Sequence, residues 1–104
     1  MGTIIHKALV VVCDQTDVFE LHAEAQFIMG QQNFLVSPIM NARTNGYCSF
    51  MIMPEGSKLG WATHEDADCK RQAYIKWLNE DAKCYSDHVY VEFGETEPAI
   101  IDAG

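Results

Sequence analysis

Several things are scarce in this chain, and each scarcity removes a class of function. No apolar run reaches the roughly 18 residues that a membrane-spanning helix needs, so no membrane partner is expected. "MGTIIHKALVVVC" has a short apolar part, little charge in front and no small-x-small cleavage site. It reads as a first β-strand of a cytoplasmic protein rather than a signal peptide. The four cysteines, Cys13, Cys48, Cys69 and Cys84, never fall at zinc-knuckle or C-x-x-C spacing, and they read as reduced thiols. There is no G-x-G-x-x-G, no Walker loop and no G-x-S-x-G elbow, and "EGSKLG" is wrongly spaced for a P-loop. His6, His22, His64 and His88 form no H-x-x-x-H pair. A Cys13 or Cys48 nucleophile with His88 is conceivable, but four of each residue make such pairs cheap. We therefore expect no enzyme, no metal and no cofactor.

Positive charge is also scarce. Seven Lys and Arg face fifteen Asp and Glu, for a net charge of −8 and a pI near 4.7. Such a field repels phosphate backbones, which argues against direct nucleic-acid binding, and attracts basic surfaces, including those built to hold DNA or RNA.

What is present describes one domain over residues 1–94 and an acidic C-terminal tail over 95–104, expected to fray at its end. Ile4 to Val12 are β-branched and apolar on both faces, as suits a central strand. "DQTD" offers Asp14 or Thr16 as a helix cap. From Asp17 to Gln31, Val18, Leu21, His22, Ala25, Ile28 and Met29 recur at helical spacing. His22 on that stripe reads as a core or half-buried histidine bonded to backbone. "LVSPIMN" carries Pro38 and belongs at a sheet edge. Asn45-Gly46 is a type I′ hairpin signal, and "YCSFMIM" is the return strand. Thr63, with Asp66 three residues on, is the expected cap of a second helix reaching about Lys83, its face Ala67, Tyr74, Ile75, Trp77, Leu78 and Ala82. "HVYVEF" alternates, with Val89, Val91 and Phe93 read as facing inward. The order β-α-β-β-α-β predicts an α+β, ferredoxin-like sandwich, a four-stranded antiparallel sheet with two helices on one face.

Three surfaces stand out. On the sheet face away from the helices, Tyr47, Met51, Met53 and Tyr90 would form an apolar patch that fits a homodimer, unless Ile100 and Ile101 fold back over it. RNA-recognition domains place aromatics on the same face, but the net charge excludes that reading here. On the first helix, Phe19, Ala23 and Phe27 step by four outside the core stripe, bordered by Asp17, Glu20 and Glu24. Trp61 follows Gly60 in a loop, where it either closes the end of the core or stands out as an anchor. Glu65, Asp66 and Asp68 lie beyond it, and the helix macrodipole explains "HEDAD" without any further role.

The segment Asn45 to Trp61, N-G-Y-x-S-F-x-x-x-P-x-G-S-K-x-G-W, resembles small proteins encoded by bacteriophages and prophages. It spans about a sixth of the chain. Compact acidic proteins of that class resemble anti-CRISPR and other anti-defence proteins. With that class analogy, the charge excess, the outward aromatics and the absent catalytic constellation lead us to expect a non-catalytic inhibitor in the host bacterial cytoplasm that binds a basic host protein, such as a CRISPR effector subunit. Asp17, Glu20, Glu24, Glu65, Asp66 and Asp68 would oppose its Lys and Arg, with Phe19, Phe27 and Trp61 as anchors. The rival expectation is a dimer that sequesters a nucleotide signal near Arg43, Tyr47, Lys58 and Trp61.

Overall fold

The structure, a computed structural model, describes residues 2–104. Strand β1 (Ile5–Asp14) leads into helix α1 (Val18–Met29), and a 3₁₀ segment (Gly30–Leu35) follows. Then come β2 (Met40–Asn41), β3 (Tyr47–Ile52), helix α2 (Ala62–Glu80), β4 (Ser86–Gly94) and β5 (Ala99–Ala103). The sheet is wholly antiparallel in the order β2-β3-β1-β4-β5. Among the described residues the fold is thus α+β with two helices and five strands, one strand more than expected. The acidic tail does not lie over the sheet. Its residues Ala99–Ala103 instead pair with β4 and extend the edge, across a bulge at Tyr90/Val91.

β1 is central because its β-branched run can be buried from both sides, and both helices pack on its Leu9, Val11 and Cys13 face. Cys48, Phe50 and Ile52 of β3 share that face, as expected. The α1 stripe is buried at Val18, Leu21, Ala25 and Met29. His22 is half-buried, its Nε2 2.8 Å from the Ser37 carbonyl oxygen and its ring edge-on to Phe50. At the hairpin, Asn45 and Gly46 both take positive φ (55° and 72°), and Tyr47 N–H donates to Thr44 O, as a type I′ turn requires. Pro38 leaves the edge strand broken. Only Met40–Asn41 pair regularly, with an isolated Val36–Ile52 bridge before them.

Neither expected cap holds. Asp14 accepts the N–H and hydroxyl of Thr16 in a local turn instead of capping α1. Helix α2 begins at Ala62, so Thr63 lies inside it and no side chain caps its N-terminus.

The larger correction is at β4, where His88 and Tyr90 face the helices while Val89, Val91 and Phe93 face outward. Tyr90 sits opposite Leu9, and His88 opposite Val11, on the inner face of β1. Tyr90 is fully buried and does not belong to the open-face patch. Both faces of "HVYVEF" carry apolar bulk, and a one-residue change of register exchanges them. The exchange is decided by α2, whose buried polar groups need the Tyr90 hydroxyl.

Candidate functional site

Helix α2 buries His64, Ala67, Arg71, Tyr74 and Ile75. Arg71 thus occupies the apolar stripe with no exposed surface at all. A guanidinium there is tolerable only if its donors are met, because it cannot shed its proton. Its Nη2 donates to Glu55 Oε1 at 2.7 Å and to Met53 O at 2.9 Å. Nη1 makes a longer contact, 3.5 Å, with the Tyr90 hydroxyl. The loop after β3 supplies Glu55, whose side chain is only 6% exposed.

Glu55 holds two further groups. Ser57 Oγ donates to Glu55 Oε2 at 2.7 Å, and His64 Nδ1 lies 3.1 Å from the same oxygen. Burial pushes the Glu55 carboxyl up, but the Arg71 and Ser57 hydrogen bonds and the Arg71 charge outweigh it and leave it at about 2. Tyr90 donates to Asp68 Oδ1. Asp68 Oδ2 takes Gln72 Nε2 at 3.1 Å and lies 3.4 Å from Lys7 Nζ. Burial raises Asp68, yet the bonds from Tyr90, Gln72 and Lys7 bring its net value down. The Tyr90 hydroxyl is raised by burial and then by Asp68, so it remains a donor.

The result is one connected chain of polar groups from Ser57 and His64 through Glu55, Arg71, Tyr90 and Asp68 to Lys7. Two carboxylates meet an arginine and a lysine, so the interior charge is balanced. Two buried nitrogens, His64 Nε2 and Arg71 Nε, have no partner. Glu55, His64, Arg71 and Lys7 were missed as site residues. The available signal was Arg71 itself, a permanent cation on the stripe His64, Ala67, Arg71, Tyr74, which implies an interior acid.

The predicted partner-binding residues divide into two groups. Phe19 and Phe27 are 74% and 79% exposed, and Trp61 is 53% exposed with Lys58 Nζ 5.6 Å from its ring centre. Trp61 therefore does not close the core. Phe34, not anticipated, is also exposed, and shares a shallow groove with Ala62, Thr63 and Asp66. Helix α1 carries Glu20 and Glu24 and no Lys or Arg. Asp17 precedes it, half-buried, and Glu20 accepts the Cys84 thiol at 3.2 Å. Glu65 is exposed.

Asp66 and Asp68 already have partners within the chain. Asp66 pairs with Lys70 at 3.1 Å and accepts Gln32, and Asp68 turns into the polar chain. Asp68 is thus half-buried beside Lys7 of the facing strand, whereas Asp66 stays at the surface with Lys70 one helical turn on. Among the described residues, ion pairs occupy four of the fifteen acids, Glu55, Asp66, Asp68 and Asp102. The rest leave the surface strongly negative.

On the open sheet face, Tyr47 and Met53 are exposed and Met51 is half-buried, beside Val10, Val12, Val89, Val91 and Phe93. The four residues of the nucleotide reading are not assembled within one chain. Tyr47 pairs with Asp14 at one end of β1, whereas Leu59 N–H bonds Thr3 O beyond the other. Ten strand residues separate these ends, a length of about 30 Å. The Cys13 thiolate that a Cys–His nucleophile would need is disfavoured by its surroundings. His88 Nε2 is 2.8 Å from Asp102 Oδ2, and burial, then the Cys48 thiol, push Cys13 up to about 11.

No helix among the described residues is long and apolar enough to cross a membrane. Comparison with protein-family models, with curated proteins and with solved structures returned no match.

Proposed function

We propose that this chain is a non-catalytic binding protein that covers a basic, nucleic-acid-holding surface of a host defence protein, in the manner of an anti-CRISPR. The observation that carries the reading is the outer face of α1, where Phe19 and Phe27 stand in solvent on a helix without a Lys or Arg. Water disfavours two such rings, and folding has not buried them. Each contributes on the order of 1.5–3 kcal/mol when a partner covers it. Glu20, Glu24 and, at the other helix, Glu65 set the sign of that partner, since like charge would be repelled and Lys or Arg drawn in. Phe34 and Trp61 extend the aromatic surface past the end of α1. The Asn45–Trp61 resemblance to phage proteins supplies the biological setting.

Tagged protein expressed in a bacterial host, washed at rising salt, tests the reading. The captured protein is expected to be basic and to bind nucleic acid. Duplex DNA should compete with the chain for it, and Phe19→Ala/Phe27→Ala and Glu20→Lys/Glu24→Lys variants should release it. A captured protein that holds DNA and this chain at the same time, with either pair of substitutions harmless, refutes the proposal.

A further inference from the structure

A second surface lies across the sheet from the helices. An antiparallel sheet covered on one side alternates apolar and polar residues along its strands. The two central strands here do not. The outward positions of β1 include Ala8, Val10 and Val12, and those of β4 include Val89, Val91 and Phe93, with Val10 opposite Val89 and Ala8 opposite Val91. The apolar surface continues sideways. Met51 of β3 pairs with Val10, and Ile100 of β5 with Val91. Ile100 is 68% exposed, so β5 widens this face at its edge instead of covering it. Strands that are apolar on both faces are built to be buried on both.

Charge and area decide what covers the face. Among the described residues, its strand positions hold no Lys or Arg, and their only acids, Asp14 and Asp87, lie together at one end. A charged partner finds nothing there to pair with. A second copy brings the same uncharged surface, while the acids of α1 and α2 lie behind the sheet, where salt screens them beyond about 8 Å. Five strands at about 4.8 Å span about 24 Å, and the residues from His6 to Val12 about 23 Å. The short edge strands β2 and β5 take from that rectangle and side-chain relief adds to it. Two copies therefore bury about 1,000 Å² in total, the lower limit for a specific interface and the range of a reversible one.

We propose that the open sheet face is the contact of a reversible homodimer, two copies stacked sheet on sheet with their helices outermost. Sheets packed this way lie about 10 Å apart with strands aligned to within about 30°. A two-fold axis between the sheets and across the strands sets the Asp14–Asp87 end of one copy over the His6–Phe93 end of the other, so that acid does not face acid. Helix α1 keeps its outer face free on both copies, and the contact does not depend on what α1 binds.

Sedimentation equilibrium of the intact chain over a concentration series tests this. The mass is expected to rise from 11.7 kDa toward twice that value. Added salt should preserve or tighten the association, because screening relieves the repulsion between two chains of net charge −8. Mixed ¹³C-labelled and unlabelled chains should give intermolecular NMR contacts from the methyl groups of Val10, Val91 and Met51. Val10→Thr/Val91→Thr keeps the β-branched shape and should weaken the dimer by about a hundredfold, since two-fold symmetry buries each new hydroxyl twice. Ile100→Lys, at an exposed position that leaves the fold intact, should weaken it about tenfold, and circular dichroism checks the folding of both variants. Phe19→Ala/Phe27→Ala should dimerise as the parent does, which separates this contact from the α1 surface. The proposal is overturned if the chain stays monomeric up to about 1 mM, if added salt dissolves the dimer, or if the phenylalanine variant alone loses it. A monomer whose capture of a different protein is abolished by Val10→Thr/Val91→Thr assigns the face to that protein and overturns the proposal too.

Discussion

Replacing Arg71 with methionine should cost far more than its volume suggests. The methionine fills much of the arginine's space, so packing loss is small. What remains is Glu55, its side chain 6% exposed, deprived of the 2.7 Å guanidinium bond and left with only Ser57 and His64. Stranding one half of a buried ion pair costs about 3–5 kcal/mol, a large part of the 5–15 kcal/mol that holds a domain this size together. The depressed Glu55 carboxyl reflects the same interaction. Its carboxyl falls from an ordinary 4.5 to about 2, which corresponds to about 3 kcal/mol of linked stability. Because the folded value is the lower one, that stability is present above pH 4.5 and drains away as the pH falls toward 2. Urea unfolding followed by circular dichroism at neutral pH should show the Arg71→Met loss, and thermal melts a drop of roughly 12 °C or more. Between pH 4.5 and 2 the variant should lose less further stability than the parent, since its Glu55 protonates nearer the ordinary value. Adding Glu55→Gln to Arg71→Met should recover about 2 kcal/mol by removing the stranded charge. A loss below about 1 kcal/mol for Arg71→Met, or strictly additive effects of the two substitutions, would refute the reasoning.

Three further outcomes are expected. Tyr90→Phe removes the donor to Asp68 at constant shape, and should destabilise by about 1–3 kcal/mol in urea unfolding while Asp68 titrates closer to its usual value. Phe19→Ala and Phe27→Ala should each change stability by less than about 0.5 kcal/mol in the same assay, because both rings already lie in water. Thiol labelling of the native protein should find Cys69 fast and Cys13 and Cys48 silent until unfolding. Cys69 is exposed, the other two are buried, and burial pushes Cys13 up to about 11.

Much of the fold could be read locally. The α1 stripe, the Asn45-Gly46 turn and the inner face of β3 each follow from a period or a dipeptide acting over a few residues, and each stands where it was expected. So does His22, whose place on an apolar stripe forces a backbone acceptor. The site was harder to read. Arg71 finds Glu55 sixteen positions away, Tyr90 finds Asp68 across twenty-two, and Lys7 reaches Asp68 from the far end of the chain. None of these separations is a helical or strand period, so no pattern announces them.

By itself the sequence determined the succession of the first four strands and the two helices, the burial of α1 and β3, and the surplus of negative charge. Those properties depend on neighbours along the chain or on composition alone. Tertiary structure decided which face of β4 turns inward, that residues 99–103 add a fifth strand, and that Asp68 is spent internally while Asp66 and Glu65 stay at the surface. These outcomes rest on a buried cation needing acceptors and an apolar strand needing an edge to pair with. Such needs are met in space, by groups that the linear order leaves far apart.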